Sequence, residues 1–153
     1  MPVIPGLRSP YARVGRLVYF GRMLDKIRLH AAGKLPPEYV ANLGDAKPGM
    51  FDTRCVSFLR VRFAELQTCV LTGALTDEKL LAWCHEHGGA RTDEECFIWN
   101  GFMMKRGWRD EVGVRLRQRI AEGGLESKPI MTMFDFIDFD EGRDPVTAQA
   151  WLE

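Results

Sequence analysis

The sequence predicts an all-α domain of about six or seven helices in an irregular array. Three observations carry that prediction. Apolar residues recur at helical spacing along most of the 153-residue chain. Glycines and Ser, Thr or Asp residues punctuate those runs where helices stop and start. No segment offers a clear partner for a β-strand. With 46% hydrophobic and 27% charged residues, the composition is that of an ordinary folded protein, and the length suits one domain over residues 1–153.

The chain opens on an irregular arm containing Pro2, Pro5, Gly6 and Pro10, with Ser9 before Pro10 supplying an N-cap signal. A long first helix is expected to run to about Ala32 and to end at Gly33. Within Val14 to Ala32, the residues Val14, Leu17, Phe20, Gly21, Leu24, Ile27 and Ala31 share one broad arc at about 100° per residue. Pro36 and Pro37 allow only a short turn of helix before a loop from Gly44 to Gly49, a candidate moving part. Asp52 is placed to cap a helix reaching Leu59, and a second segment from Phe63 to Leu71 ends at Gly73, with a break expected near Arg60 to Arg62.

Thr76 begins the next helix, Asp77 and Glu78 favour its positive end, and Gly88 with Gly89 terminates it. Thr92 and Glu95 form a capping-box pattern for a helix to about Trp108. That helix reads as apolar almost all round and is expected at the centre of the fold. A charged helix from Arg115 to Ala121 follows, ended by Gly123 and Gly124. Thr132 then precedes a run in which helical and alternating spacings compete. We favour a helix. Arg143 to Glu153 reads as a polar tail whose Trp151 packs back.

Charge and composition exclude several function classes. Lys plus Arg and Asp plus Glu each total 21, so no overall field steers the chain toward nucleic acid or an anionic membrane. A local basic patch exists from Lys105, Arg106 and Arg109 to Arg115, Arg117 and Arg119, interrupted by Asp110 and Glu111; its plain reading is a solvated helix face. No run of about 18 apolar residues predicts a membrane span, and no secretory leader is visible. Cys55, Cys69, Cys84 and Cys96 sit separately within helical patterns, as buried thiols of a cytoplasmic protein would.

The common signatures of nucleotide binding, hydrolysis and structural zinc are absent. Cys84, His85, Glu86 and His87 cluster in sequence, but a helix brings only Cys84 and His87 to one face, so no metal site is predicted. Asp135, Asp138, Asp140 and Glu141 lack the spacing of a calcium loop, and Asp135 and Asp138, near one another at helical periodicity, suit ion pairs with arginines. Cys96 lies at a helix N-terminus, where Glu94 and Glu95 oppose a thiolate. No cofactor is predicted.

The first helix carries the best candidates. Arg28 falls inside the apolar arc and Asp25 at its edge, positions that a buried charge occupies only when paired and hydrogen-bonded. Arg22, Lys26 and Arg28 suit the binding of a small anionic ligand or a partner's acidic group, with Asp25 orienting a guanidinium fork or acting as acid or base. Asn100, between the apolar directions of the expected central helix, needs a partner or a ligand for its amide. The competing reading is a structural ion-pair network joining this helix to Asp138 or Asp140, in a non-catalytic protein-interaction module.

Four segments resemble one family over nearly the whole chain: IPGLRSPYARVG at Ile4 to Gly15, VYFGRMLDKIRLHAAGKLP at Val18 to Pro36, WNGFMMKRGWRDE at Trp99 to Glu111, and FDFIDFDEGR at Phe134 to Arg143. The chain resembles the uncharacterised, mainly bacterial family called domain of unknown function 5069. The resemblance implies a compact domain of this length with the Arg22, Asp25, Lys26 and Arg28 block among its motifs. It implies no activity and no cofactor.

Overall fold

A computed structural model describes residues 3–152. Among the described residues there are nine α-helices, a two-stranded antiparallel hairpin and one short 3-10 helix, so the helix count exceeds the expected six or seven. Met1, Pro2 and Glu153, the outer limits of the expected arm and tail, lie outside the described residues.

The hairpin corrects the first expected helix. Strands β1 (Arg13–Val14) and β2 (Leu17–Val18) pair with Arg13 opposite Val18 and Val14 opposite Leu17. Gly15, at φ 57°, makes the two-residue loop that this register requires. The error has a geometric cause. Residues flanking such a loop are three apart and face the same way, which is also the spacing of neighbours on a helix. Helix α1 therefore starts only at Phe20 and runs to Ala31, and Tyr19 turns the corner into it in the left-handed region, at φ 69°.

Helix α1 is the true centre of the molecule. All eight residues from Phe20 to Ile27 are buried, with Arg22, Asp25 and Lys26 among them, and packing against α4 is its main helical contact. The short α2 (Pro37–Val40) leads through the 42–50 loop to α3 (Phe51–Leu59) and α4 (Phe63–Leu71), which are split at Arg60 in the left-handed region. Asp52 does not cap α3, whose N-cap is Met50; its carboxylate is buried in the core instead.

Helices α5 (Asp77–Gly88) and α6 (Asp93–Lys105) begin as their caps foretell. Thr76 Oγ1 accepts from the Lys79 amide, and both halves of the Thr92–Glu95 capping box are formed. Expected at the centre, α6 instead lies at the surface. It buries Cys96, Trp99, Asn100 and Met103 and exposes Phe97, Ile98 and Phe102 on the other side. Helix α7 (Gly113–Glu122) packs on α8 (Met133–Asp140), which Thr132 caps, so the helical reading of the ambiguous run holds. The tail forms α9 (Pro145–Ala148) and a 3-10 turn (Ala150–Leu152), where the Trp151 ring lies 6.4 Å from that of Tyr11.

One cluster of buried apolar side chains joins the hairpin, α1, α3, α4, α5, α6 and α8. One aromatic group in it is Tyr11, Tyr19, Phe51 and Phe134, packed at ring separations of 5.2–6.0 Å. The Tyr19 and Tyr11 hydroxyls leave this apolar group to donate to Asp52 and Asp135 respectively.

Candidate functional site

Three charged networks radiate from α1, because its buried length leaves every charged side chain to find a partner at once. On one side, Arg8 from the arm grips Asp25 through Nε and Nη2 at 2.8 and 3.0 Å, and its backbone amide donates to the same carboxylate. Asp77 joins Arg8 at 2.8 Å and Arg28 at 2.7 Å. Gly21 makes room for this arrangement, since a Cβ there would lie 2.8 Å from the Arg8 guanidinium carbon. Arg28 is more exposed than the helical arc implies, with 37% of its side chain accessible.

The second network is buried. Arg22 donates to both Glu141 oxygens at 2.9 and 2.6 Å. Tyr39 and Arg143 also donate to Glu141, and Arg143 extends the group to Asp138 and to the Leu7 carbonyl. Burial alone would raise the Glu141 pKa, but Arg22, followed by Arg143 and Tyr39, outweighs it and holds the carboxylate below its ordinary range. The ion pair from α1 thus reaches Glu141, not Asp138 or Asp140. Asp138 accepts from Ser9 and Arg143, whereas the Asp135 carboxylate accepts from the Tyr11 hydroxyl and the Met131 amide and meets no arginine among the described residues.

In the third network Lys26 meets both Asp52 oxygens at 3.0 Å and donates to the Asn42 carbonyl at 3.3 Å. Tyr19 donates to Asp52 at 2.6 Å, as does the Gly44 amide at 2.8 Å. Burial pulls the Lys26 ammonium below its ordinary pKa, and Asp52 opposes that shift. Arg22 and Lys26 face one side of α1, and Asp25 and Arg28 the other. Asn100 is remote from both groups. Its Oδ1 accepts from the Val18 amide and its Nδ2 donates to the Arg16 carbonyl, tying α6 to the hairpin.

Arg22 and Lys26 line a cavity of about 530 Å³ between α1, the 42–50 loop, α3, α7 and α8. Its inner end is polar and buried, formed by Tyr19, Arg22, Lys26 and Glu141. Phe51, Met133, Phe136 and Ile137 supply apolar walls. Its outer part carries Arg54, Arg106, Arg115 and Arg119, with Glu38 and Asp140 also on the lining. Arg106 pairs with Asp110 and Glu111. Arg54, Arg115 and Arg119 have no carboxylate within 4 Å among the described residues, although the Nε atoms of Arg54 and Arg119 are buried and lack a hydrogen-bond partner. Arg54 packs over the Phe102 ring, 5.0 Å from its centroid.

Sequence reasoning missed these outer arginines as a site. It grouped Arg106, Arg115 and Arg119 only as part of a solvated basic face, and nothing in the sequence brings Arg54 to them. Their one readable signal is that Arg115 and Arg119 are four apart, hence neighbours on α7.

The sequence cluster around Cys84 also resolves into separate roles. Cys84 is buried, its thiol pushed up to about 12 by burial, while His87 Nδ1 meets the Trp83 carbonyl at 2.9 Å. Among the described residues no three His, Cys, Asp or Glu side chains gather to hold a metal.

The family model described as a domain of unknown function, DUF5069, matches residues 4–143. The chain belongs to this family. The DUF5069 match spans the arm, both buried networks and every residue of the cavity lining, and it ends just before α9. None of the curated proteins matches the chain. No helix among the described residues is long and apolar enough to cross a membrane.

Proposed function

We propose that this protein binds a small anionic molecule in the 530 Å³ cavity. Arg54, Arg115 and Arg119 take the anionic group, and an apolar body packs against Phe51, Met133 and Ile137. The observation that carries this reading is the set of three guanidiniums on one concave surface without carboxylate partners among the described residues, two of them with an unpaired buried Nε. An unsatisfied buried donor is unfavourable, and a bidentate phosphate or carboxylate relieves it.

Arg22 and Lys26 enter this reading as the far wall. Each is already matched by Glu141 or Asp52, so together they offer the ligand a polar but nearly neutral surface. Asp25, Arg28 and Asn100 support the helix and hairpin from outside the cavity. The full pairing of Arg22, Asp25, Lys26 and Arg28 favours a second reading, in which these networks are purely structural and the protein acts as an interaction module.

Thermal melts with phenyl phosphate, benzoate and inorganic phosphate separate the two. Binding at a hundredfold excess over Kd adds about 2.7 kcal/mol of stability, a shift of several degrees. We expect phenyl phosphate to give the largest rise in Tm, and Arg115→Ala with Arg119→Ala to abolish it. A melt unmoved by all three probes, or a rise that survives the double substitution, would falsify the cavity reading.

A further inference from the structure

The outward stripe of α6 reads Glu94, Phe97, Ile98, Gly101, Phe102 and Lys105; Arg54 and Arg106 lie over the Phe102 ring, whereas Phe97 and Ile98 stand open to solvent. Phe97 is 78% exposed, Ile98 61% and Phe102 41%. These apolar residues recur at helical spacing on the side opposite buried Cys96, Trp99 and Met103. Such a contiguous apolar face marks an interaction surface. Neither end charge is used within the chain, since Glu94 and Lys105 form no salt bridge among the described residues.

The order along the stripe is self-complementary. When a second α6 is laid antiparallel across the first, with the two-fold axis between Trp99 and Asn100, Glu94 faces Lys105 and Ile98 faces Gly101 along the middle of the stripe. Each pair occurs twice, as an isologous interface requires. A parallel arrangement would set Glu94 against Glu94 and Lys105 against Lys105. Gly101 is the fitting feature. A Cβ there would touch nothing within 4 Å in its own chain, so the missing side chain leaves room on the outer surface for an incoming Ile98.

A broad apolar groove of about 740 Å³ runs beside the stripe, lined by Phe58, Ile98, Trp99 and Phe102. It borders the Ile98 and Phe102 edge of the stripe, and Phe97 lies on the other edge. We infer that α6 is the contact helix of a symmetric antiparallel homodimer, with Phe97 and Ile98 as its apolar anchors and the Glu94–Lys105 pairs setting its direction. This inference is independent of the cavity.

Sedimentation velocity over a micromolar concentration series tests it. The wild-type protein should sediment as a dimer that dissociates on dilution, and Ile98→Glu should raise the dissociation constant more than about tenfold. Because Ile98 is exposed, far-ultraviolet circular dichroism of that variant should match the wild type and exclude unfolding as the cause. Glu94→Lys and Lys105→Glu should each weaken the dimer, and the double reversal should restore it. A wild-type protein that stays monomeric, a dimer indifferent to Ile98→Glu, or a double reversal no better than the singles would each overturn the proposal.

Discussion

Arg22 and Glu141 meet across two hydrogen bonds with only 4% and 1% of their side chains exposed. Removing one member of so buried a pair strands the other, at a cost of about 3–5 kcal/mol, whereas replacing both with apolar residues is far milder. Urea unfolding at neutral pH should therefore show large losses for Arg22→Met and for Glu141→Leu, and a loss in the double variant well below their sum. Simple additivity would mean that the two side chains act independently. At this scale the sequence is only half legible. Charges on an apolar arc announce that Asp25 and Arg28 need partners, but Asp25 finds Arg8 17 residues away, and the buried Arg22 finds Glu141 119 residues away. Arg28 was misplaced in the arc because the helix begins later than its periodicity suggests, and Lys26 proved more buried than Arg28. Gly21 held an unread clue. A glycine within a helix is unfavourable unless something must come close, and here Arg8 does.

Elements were most legible where a cap or a breaker fixes them. Thr76, Thr92 and Thr132 each receive the backbone amide three residues on, and the split between α3 and α4 falls where periodicity lapses. The hairpin was hidden because its pairing coincides with helical spacing, and the surface position of α6 because an apolar composition alone does not distinguish a core helix from a helix with an apolar outer face. Helix ends also carry the packing between elements. Gly88, in the last turn of α5, passes so close to α3 that a Cβ would run into the Leu59 carbonyl and lie 3.0 Å from that of Arg60. Backbone cannot move aside as a flexible side chain can. Gly88→Ala should therefore destabilise the fold by about 1–3 kcal/mol in chemical denaturation, despite the better helix propensity of alanine. Unchanged or increased stability would show that α5 and α3 shift apart at no cost.

For the molecule as a whole, the charge networks set the response to acid. Burial raises the Glu141 and Asp77 carboxylates, but Arg22 and the Arg28–Arg8 pair respectively outweigh it, so both titrate below their ordinary values. Their contribution is fully present above the unfolded values of about 4.3 and 3.9 and is lost as the pH falls through the lower folded values. Asp138, raised chiefly by burial, works in the opposite sense. Melts between pH 6 and pH 2, a range spanning those roughly 4 reference values, should show a steep loss of Tm in the wild type and a shallower one in Glu141→Gln. Parallel curves would remove Glu141 as an acid-sensitive group.

The same networks join the arm and α1 to α8 and the residues just after it, through Ser9 to Asp138, Leu7 to Arg143 and Arg22 to Glu141. During synthesis the early segments leave the ribosome with Arg22 already made and its counter-charge still to come. The hairpin and α1 to α5 can form contacts while that guanidinium is hydrated, but burying it must wait for Glu141. Completion of the native core is thereby tied to the emergence of the 138–143 segment, and a stalled chain that ends before it keeps its central helix wet.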